Sequence, residues 1–238
     1  MKQSSDFPEP GEARPRDILY LDPHLLVLNK PAGLLTQQAP GRRGDPSLLP
    51  WAARLLRTRG EDARLFLVHR LDEETSGTLA LARSREAKVE MERIFRGHRA
   101  ERIYRGLVVG VPHPITARLE SLLALGEGGV MEVSDKGQKA ITEYGVLESF
   151  EGYSLLAFRL ETGRRNQIRV QMADRGHPLV GDRKYGHWDP RVKKIRAPRC
   201  MLHASALQFR HPFTGEMVEV EAPLPADFGP FLQRNRGE

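Results

Sequence analysis

Cysteine is almost absent from this chain, and long apolar runs are missing altogether. The one cysteine, Cys200, cannot form an internal disulfide, and a single thiol is typical of proteins from a reducing cytoplasm. No stretch approaches the roughly 18 apolar residues of a membrane-spanning helix. The first residues, MKQSSDFPEPGEARPRD, contain acids and prolines but no apolar core, so they do not form a signal peptide. These absences predict a soluble, cytoplasmic protein.

Motifs for metal and nucleotide binding are also missing. The histidines and the cysteine show neither the HExxH nor the paired CxxC spacing of zinc sites. There is no GxxxxGK[ST] loop for nucleoside triphosphates and no GxGxxG turn for dinucleotides. Cys200 and His203 are three residues apart, but no other feature supports a nucleophile there, and a packed thiol explains Cys200 better. We therefore expect neither a metal nor a cofactor.

Positive charge is in excess. The 238 residues include 37 lysines and arginines against 31 acids, which gives a net charge of +6. Most of the excess is arginine, whose planar fork of donors matches phosphate oxygens. A polyanionic partner is one explanation and an unspecialised basic surface is the other, and charge alone does not decide between them. The composition is that of a globular protein, for which we expect one catalytic domain over residues 17–228, between a leader (1–16) and a tail (229–238).

Hydrophobic periodicity predicts short strands with a few helices. Ser84 can cap a helix whose apolar residues recur at every third and fourth position. QIRVQMADRG fits a second helix closed by Gly176, and SLLPWAARLLRTR a third that ends at Gly60. Alternating patterns typical of antiparallel strands occur in IYRGLVVG, ITARLESLL, ITEYGVLESF, YSLLAFRLE and the late pair LHASALQF and MVEVEA.

Three clusters could hold chemistry: HRLDEETSG (69–77), RIYRGLV (102–108) and TGRRNQIRVQM (162–172). The first is flanked by the predicted strands LFLV and TLALA, so Asp72 lies in a loop between two rigid elements, a position that favours function. Each cluster also has a purely structural interpretation. Asp72 could accept backbone hydrogen bonds, Tyr104 could pack its ring within a strand, and Arg169 could be a surface charge of a helix.

In combination the clusters resemble the RluA-type pseudouridine synthase family, whose central motif HRLDxxTSG is present here at every defining position. Further matches follow in order over residues 17–226: NKPAGLL (29–35), the tyrosine motif around Tyr104, AITEY (140–144), TGRxxQIR (162–169), GHPLVGDRKYG (176–186) and LHA (202–204). The resemblance implies an α+β fold with a mixed, mostly antiparallel central sheet, flanking helices and a catalytic cleft. It also implies isomerisation of uridine to pseudouridine in RNA.

The resemblance assigns roles to individual residues. Asp72 corresponds to the family's catalytic aspartate, a nucleophile towards either the ribose C1′ or the base. Arg169 corresponds to the arginine that pairs with that aspartate and keeps it ionised. Tyr104 corresponds to the tyrosine that stacks on uracil and whose hydroxyl can take the C5 proton. Ile168 corresponds to an aliphatic residue under the base, a role that sequence does not separate from ordinary core packing.

Further arginines are candidates for contact with RNA. A stacked or paired uridine must be flipped out to reach Asp72. Arg70 resembles the arginine that fills the vacated space, and a phosphate contact is the equal alternative. Candidates for the RNA backbone are Arg42, Arg43, Arg102, Arg105, Arg164 and Arg165, each of which could also be a solvated surface charge.

The chain departs from the family pattern in two respects. Asn166 and Gln171 stand where many relatives have histidine, which leaves catalysis intact but puts in doubt any substrate detail carried through those side chains. Many relatives also have an S4-type RNA-binding domain, and the leader is too short to be one. Small members of this kind act on tRNA or large-subunit rRNA, so we expect structured RNA to be recognised by the catalytic domain itself. We expect a monomer, because nothing in the sequence indicates an obligate dimer.

Two rival functions remain to be distinguished. The first is a catalytically silent RNA-binding protein that kept the fold, although binding alone does not require Asp72, Tyr104 and Arg169 together. The second is a hydrolytic nucleosidase, for which the arginine excess has no purpose because a free nucleoside has no phosphate.

Overall fold

The computed structural model describes residues 14–38, 41–42 and 44–233. Strands and helices are numbered here in chain order within that part of the chain. The strands are β1 (Ile18–Leu21), β2 (Leu25–Lys30), β3 (Phe66–Leu67), β4 (Ser76–Ala82), β5 (Glu101–Val109), β6 (Thr116–Leu125), β7 (Met131–Val133), β8 (Gln138–Phe150), β9 (Tyr153–Leu160), β10 (Leu202–Arg210) and β11 (Met217–Glu221). The α-helices are α1 (Leu48–Arg57), α2 (Arg85–Arg96), α3 (Gln167–Asp174), α4 (Pro190–Lys194) and α5 (Gly229–Leu232).

The chain divides into two compact units. The first contains the residues up to Ala100 together with Ala204–Pro223, and the second contains Glu101–His203 together with the residues from Leu224 onward. Strand β10 includes the point at which the chain passes from the second unit back to the first.

The first unit is built around strand β4, which is buried along its whole length. It pairs antiparallel with β2 and with the short β3, while β1 extends the sheet beyond β2. Strand β10 neighbours β4 and forms an antiparallel hairpin with β11. Helix α2 begins at Ser84, whose Oγ accepts a hydrogen bond from the Ala87 amide at 3.0 Å. Its apolar face packs against the sheet and forms the core of this unit, in which α2 contributes Ala87, Met91 and Ile94.

The second unit is an antiparallel sheet in the order β5-β9-β8-β6-β7. Val170 of helix α3 and Tyr185 pack with Leu123 and Ala140 of the sheet in one small core. A larger core gathers Leu107, Tyr153 and the C-terminal Phe228 and Phe231. Helix α3 is therefore fixed against the strands that precede it in the chain.

The predicted elements are largely those that form. The α+β class with a mostly antiparallel sheet is confirmed, and so are the cap at Ser84, the helix closed by Gly176 and the late hairpin. The tail predicted from residue 229 instead includes α5. Phe231 of this helix is buried, and its backbone carbonyl accepts a 2.7 Å hydrogen bond from the Tyr153 hydroxyl. The predicted leader lies almost wholly outside the described residues, and the single catalytic domain stays a prediction. None of the helices in the described ranges is long and apolar enough to span a membrane.

Candidate active site

Asp72 lies in the loop formed by residues 68–75, which we call the Asp72 loop, between strands β3 and β4. Because β3 and β4 pair antiparallel, the loop starts and ends on rigid neighbouring strands, as the sequence predicts. Asp72 is half-buried, and its backbone carbonyl accepts a hydrogen bond from the Thr75 amide at 3.1 Å. The loop thus carries a carboxylate on a closed turn.

The backbone is anchored on both sides of Asp72. On one side, the Thr36 hydroxyl donates to the Leu71 carbonyl at 2.6 Å and accepts from the Leu71 amide at 3.2 Å. On the other side, the Glu73 carbonyl accepts from the Gly33 amide at 2.9 Å and from Lys30 Nζ at 3.1 Å. The backbones of Leu71 and Glu73, the two neighbours of Asp72, are therefore held by the 30–36 segment.

Lys30 is fully buried and serves as the centre of this anchor. Its Nζ also donates to the carbonyls of Pro31 and Leu34, each at 2.9 Å. An ammonium group has three donors, and three carbonyls receive them. This arrangement gives the NKPAGLL motif, which had no role in the sequence analysis, the task of fixing the Asp72 loop.

His69 supports the same loop as a packed ring. Its Nε2 accepts a hydrogen bond from the Ala80 amide at 2.8 Å, so the ring is neutral with its proton on Nδ1. The ring stacks on Phe95, with 4.3 Å between centroids. Arg70, the next residue, is exposed to solvent.

The close approach of two strands explains the glycine that ends the HRLDxxTSG motif. Gly77 has φ +113°, and a Cβ there would overlap the backbone of Ala204. Only glycine allows β10 to lie this close to β4 at the end of the Asp72 loop.

Arg42 is held by carboxylates instead of lying free on the surface. Its Nη1 and Nη2 bind Glu73 at 2.7 and 2.9 Å, and its Nε binds Asp45 at 2.5 Å. The hydrogen bond to Glu73 raises the pKa of Arg42 above its ordinary value. The guanidinium therefore connects Asp45 to Glu73 of the Asp72 loop. Arg43 lies outside the described residues.

In the second unit, Arg169 projects from α3 and forms a buried ion pair with Asp182. Its Nε and Nη2 donate to the two carboxylate oxygens at 2.7 and 2.8 Å, a bidentate geometry. The Asp182 side chain is fully buried and also accepts from the amides of Lys184 and Tyr185. Burial alone would raise the pKa of Asp182, but the hydrogen bond and charge of Arg169 and the two amides lower it below its ordinary value.

Tyr185 completes the setting of Arg169. The guanidinium carbon lies 5.3 Å from the centroid of the Tyr185 ring, within the range of a cation–π contact. The Tyr185 hydroxyl in turn donates to Asn166 Oδ1 at 3.2 Å. Asn166 is the residue at which the chain enters α3 with a left-handed backbone, φ 55°. The start of α3 and the arginine one turn later are thus fixed by one aromatic ring.

Two buried glutamines attach α3 to strand β8. Gln167 accepts from the Thr162 hydroxyl at 2.7 Å and donates to the Ile141 carbonyl at 3.0 Å. Gln171 accepts from the Thr142 hydroxyl at 2.6 Å and donates to Ser121 Oγ at 2.9 Å. Buried amides that satisfy both their donor and acceptor atoms specify one position of the helix. The network joins the AITEY and TGRxxQIR motifs, and it gives Gln171 a purely structural set of partners.

Arg102 and Tyr104 are two residues apart on β5 and lie on the same face of the strand. Tyr104 is 7% exposed, and its Cα is paired with that of Phe158 on β9. Arg102 is 9% exposed and donates through Nη2 to the carbonyls of Leu160 and Glu161 at 3.3 and 2.9 Å. Burial lowers the pKa of Arg102. We assign Arg102 to support of the turn after β9 and no longer to the RNA backbone.

The remaining predicted contacts differ in exposure. Ile168 is 3% exposed within α3, consistent with core packing. Arg105 and Arg165 are exposed, and Arg164 is half-buried with its Nε donating to the Lys139 carbonyl at 3.0 Å. Arg105 and Arg165 keep their guanidinium groups accessible to solvent.

Asp72 belongs to the first unit and Tyr104, Ile168 and Arg169 to the second, and the pairing of Asp72 with Arg169 stays a prediction. Sequence reasoning missed Asp182, Lys30 and Thr36. Asp182 lies within GHPLVGDRKYG and Lys30 within NKPAGLL, so both motifs carried the signal, but partners so far apart in the chain are not visible in a single sequence.

Comparison with known proteins adds independent findings. A family model described as RNA pseudouridylate synthase matches residues 24–174. The ribosomal large subunit pseudouridine synthase D of Pseudomonas aeruginosa is 37% identical over 225 residues, covering 89% of this chain and 69% of that protein. An uncharacterized RNA pseudouridine synthase of Bacillus subtilis is 36% identical over 229 residues, covering 94% of this chain and 72% of that protein. The solved structure of human RNA pseudouridylate synthase domain containing 4 is similar with a TM-score of 0.75 at 25% identity, covering 93% of each chain.

Proposed function

Because this chain belongs to the RNA pseudouridylate synthase family, we propose that it isomerises uridines of tRNA or large-subunit rRNA by nucleophilic attack of Asp72. It is an RNA pseudouridine synthase, an isomerase whose substrate is RNA. The observation that supports Asp72 as the nucleophile is its position between two residues whose backbones are hydrogen-bonded to Thr36, Gly33 and Lys30. A carboxylate fixed in this way approaches its target without reorganisation of the loop.

The reaction breaks the bond between uracil N1 and ribose C1′ and forms a bond between C5 and C1′. Asp72 attacks either C1′ or the uracil ring, and both routes detach the base so that it can rotate within the site. C5 then joins C1′ and the covalent bond to Asp72 breaks, which regenerates the carboxylate. Finally C5 loses its proton and N1 gains one, which balances the isomerisation. No electron is transferred to or from an outside reagent.

Arg169 and Tyr104 are the partners that we assign to Asp72. Attack needs the ionised carboxylate, and a neighbouring guanidinium favours that form. The bidentate bond with Asp182 sets the orientation of Arg169, so that Asp182 is a positioning residue. The Tyr104 ring stacks on the uracil, and its hydroxyl receives the C5 proton. The catalytic domain that we predict over residues 17–228 acts as a monomer in the cytoplasm.

The target uridine must leave its helix before it meets a half-buried carboxylate. Base flipping costs a few kcal/mol of stacking, and the exposed Arg70 next to the Asp72 loop is the residue that we assign to the vacated space or to an adjacent phosphate. Arg105, Arg164 and Arg165 are assigned to the RNA backbone. The relative from Pseudomonas aeruginosa is named for the large ribosomal subunit, which makes that rRNA the first substrate to try.

The proposal is tested by release of tritium from RNA that carries uridine labelled at C5. The wild-type protein should release tritium, and Asp72→Asn should abolish release while RNA binding is retained. Glu73→Gln, a neutralised carboxylate on the same loop, is the matched control and should keep measurable turnover. Undiminished release by Asp72→Asn would refute the nucleophile, and absence of release by the wild type on both tRNA and rRNA would refute the substrate choice. Mapping pseudouridine in tRNA and rRNA from cells that lack the gene then identifies the target.

A further inference from the structure

Residues 183–196, RKYGHWDPRVKKIR, form a cationic segment of the second unit that the proposed function does not yet use. The segment has six lysines or arginines and one acid, Asp189. That acid is already engaged, because Arg191 binds it through Nε and Nη2 at 3.0 and 2.6 Å. Lys193, Lys194 and Arg196 therefore have no further acid within the segment to neutralise them.

The packing of the segment turns its charges towards solvent. Val192 is buried, and Ile195 and Ala197 pack against the same core as Leu107 and Phe228. Lys193, Lys194 and Arg196 occupy the intervening positions and are exposed. Within the described ranges, no carboxylate pairs with any of these three side chains. The apolar residues thus fix the backbone while the cations remain available.

A cavity of about 270 Å³ is lined in part by this segment. Its lining includes the cationic residues Arg183, Lys193 and Arg196, together with His187, Gly181 and Asp182. The Asp182 carboxylate is already hydrogen-bonded to Arg169 and to two amides. Its negative charge is balanced by Arg169 and does not neutralise the other cations of the lining. Several cations around one concavity favour a compact anion.

Trp188 directly follows His187, a residue of the cavity lining, in the chain, and it is 55% exposed. A large aromatic ring on a basic surface is a stacking platform for an unpaired base, because every base has a flat aromatic face. A free inorganic anion has no aromatic face and cannot stack on the indole ring. The combination of cavity, cations and indole favours a nucleotide unit over a simple ion.

We propose that this cavity is a subsite for one phosphodiester group of the substrate RNA, with Trp188 stacking on an adjacent base. The inference rests on the RNA pseudouridine synthase function and deepens it. Asp182 lines the cavity, and its carboxylate binds Arg169. The proposed phosphate site and the arginine that we assign to the active site therefore share Asp182 as a neighbour.

The test is the double variant Lys193→Ala/Arg196→Ala, together with Trp188→Ala, assayed for binding and turnover of the tritiated RNA. Loss of charge-assisted contacts of roughly 1.5 kcal/mol or more corresponds to about a tenfold rise in Kd. The effect should appear in KM more than in kcat. The slope of log Kd against log salt should fall by about 0.7–0.9 for the one phosphate lost. RNA should quench the fluorescence of the wild type, and that response should shrink in Trp188→Phe.

The matched control is Arg85→Ala/Arg96→Ala, which removes two exposed cations from helix α2 in the first unit. The control should bind and turn over RNA like the wild type. An equal loss of affinity in both double variants would reduce the effect to net charge and overturn the subsite. Unchanged RNA affinity in Lys193→Ala/Arg196→Ala would overturn it as well. Binding of inorganic phosphate at the cavity without any competition from RNA would also overturn it. Each of these results leaves tritium release by the wild type intact, whereas failure of the proposed function abolishes release itself.

Discussion

The Asp182→Asn substitution gives the sharpest test of how the arginine of the site is held. The change keeps the shape of the side chain but places an amide opposite the Arg169 guanidinium and leaves a buried cation without its partner. Breaking a buried ion pair from one side costs roughly 3–5 kcal/mol. A domain of ordinary stability, about 5–15 kcal/mol, remains folded after that loss. The free energy of unfolding from urea titration should therefore fall by several kcal/mol while the protein stays native in buffer.

Turnover should fall as well, because misplacement of a reacting group by about 1 Å can lower a rate roughly a hundredfold. Single-turnover tritium release at saturating RNA measures this, and Kd for RNA should change little. Asp227→Asn is the control, since Asp227 also binds a buried arginine, Arg199, through two hydrogen bonds of 2.7 and 3.1 Å but is not linked to Arg169. The control should lose stability and keep its rate. A folded Asp182→Asn protein with wild-type turnover would refute the positioning role.

The same pair makes a prediction about acid. The folded-state pKa of Asp182 lies below its ordinary value of 3.8, so its contribution to stability is fully present above that value and is lost as pH falls through the folded pKa. The difference in stability between the wild type and Asp182→Asn should be constant near neutrality and shrink below pH 3.8. A difference that grows on acidification would contradict the assignment.

Three further substitutions test the surroundings. Tyr104→Phe should fold and bind RNA but release little tritium, and normal release would remove the hydroxyl from the mechanism. Lys30→Met should lower the free energy of unfolding by roughly 1–3 kcal/mol or more, the cost of a carbonyl left without a donor, and it should also slow turnover because the Glu73 carbonyl loses one of its two hydrogen bonds. Gln171→Leu should lower stability by a similar amount, measured by urea titration, because Thr142 and Ser121 lose their partner. Unchanged stability in either buried variant would show that the hydrogen bonds contribute no net energy.

Local features of the chain could be predicted from its sequence because they depend on neighbours in the chain. The cap at Ser84, the apolar face of α2 and the placement of Asp72 between two strands follow from spacing alone. The partners of the charged residues did not follow. Arg42 was assigned to RNA but binds Glu73, and Arg102 was assigned to RNA but is buried against two carbonyls. Which carboxylate or carbonyl meets a guanidinium is decided by tertiary packing between segments up to about sixty residues apart, as the 58 and 59 residue separations of Arg102 illustrate.

The division of the chain also escaped prediction. A strand that belongs partly to each unit, β10, leaves no break in composition where the units meet. Phe231 falls within the predicted tail, yet its ring is buried and its backbone carbonyl accepts a hydrogen bond from Tyr153. Short terminal segments are retained by particular contacts that periodicity does not register.

The anchoring of the peptides around Asp72 by Thr36, Gly33 and Lys30 has a consequence for the choice of target. With Asp72 as the proposed nucleophile, a loop held on both sides of this residue has little freedom to follow the substrate. The deformation that the proposed base flipping requires would then fall mainly on the nucleic acid, and its size depends on the strength of local stacking and pairing. We therefore expect uridines in loops, at mismatches or beside flexible steps to be modified most readily, so that the deformability of the RNA contributes to the choice of site.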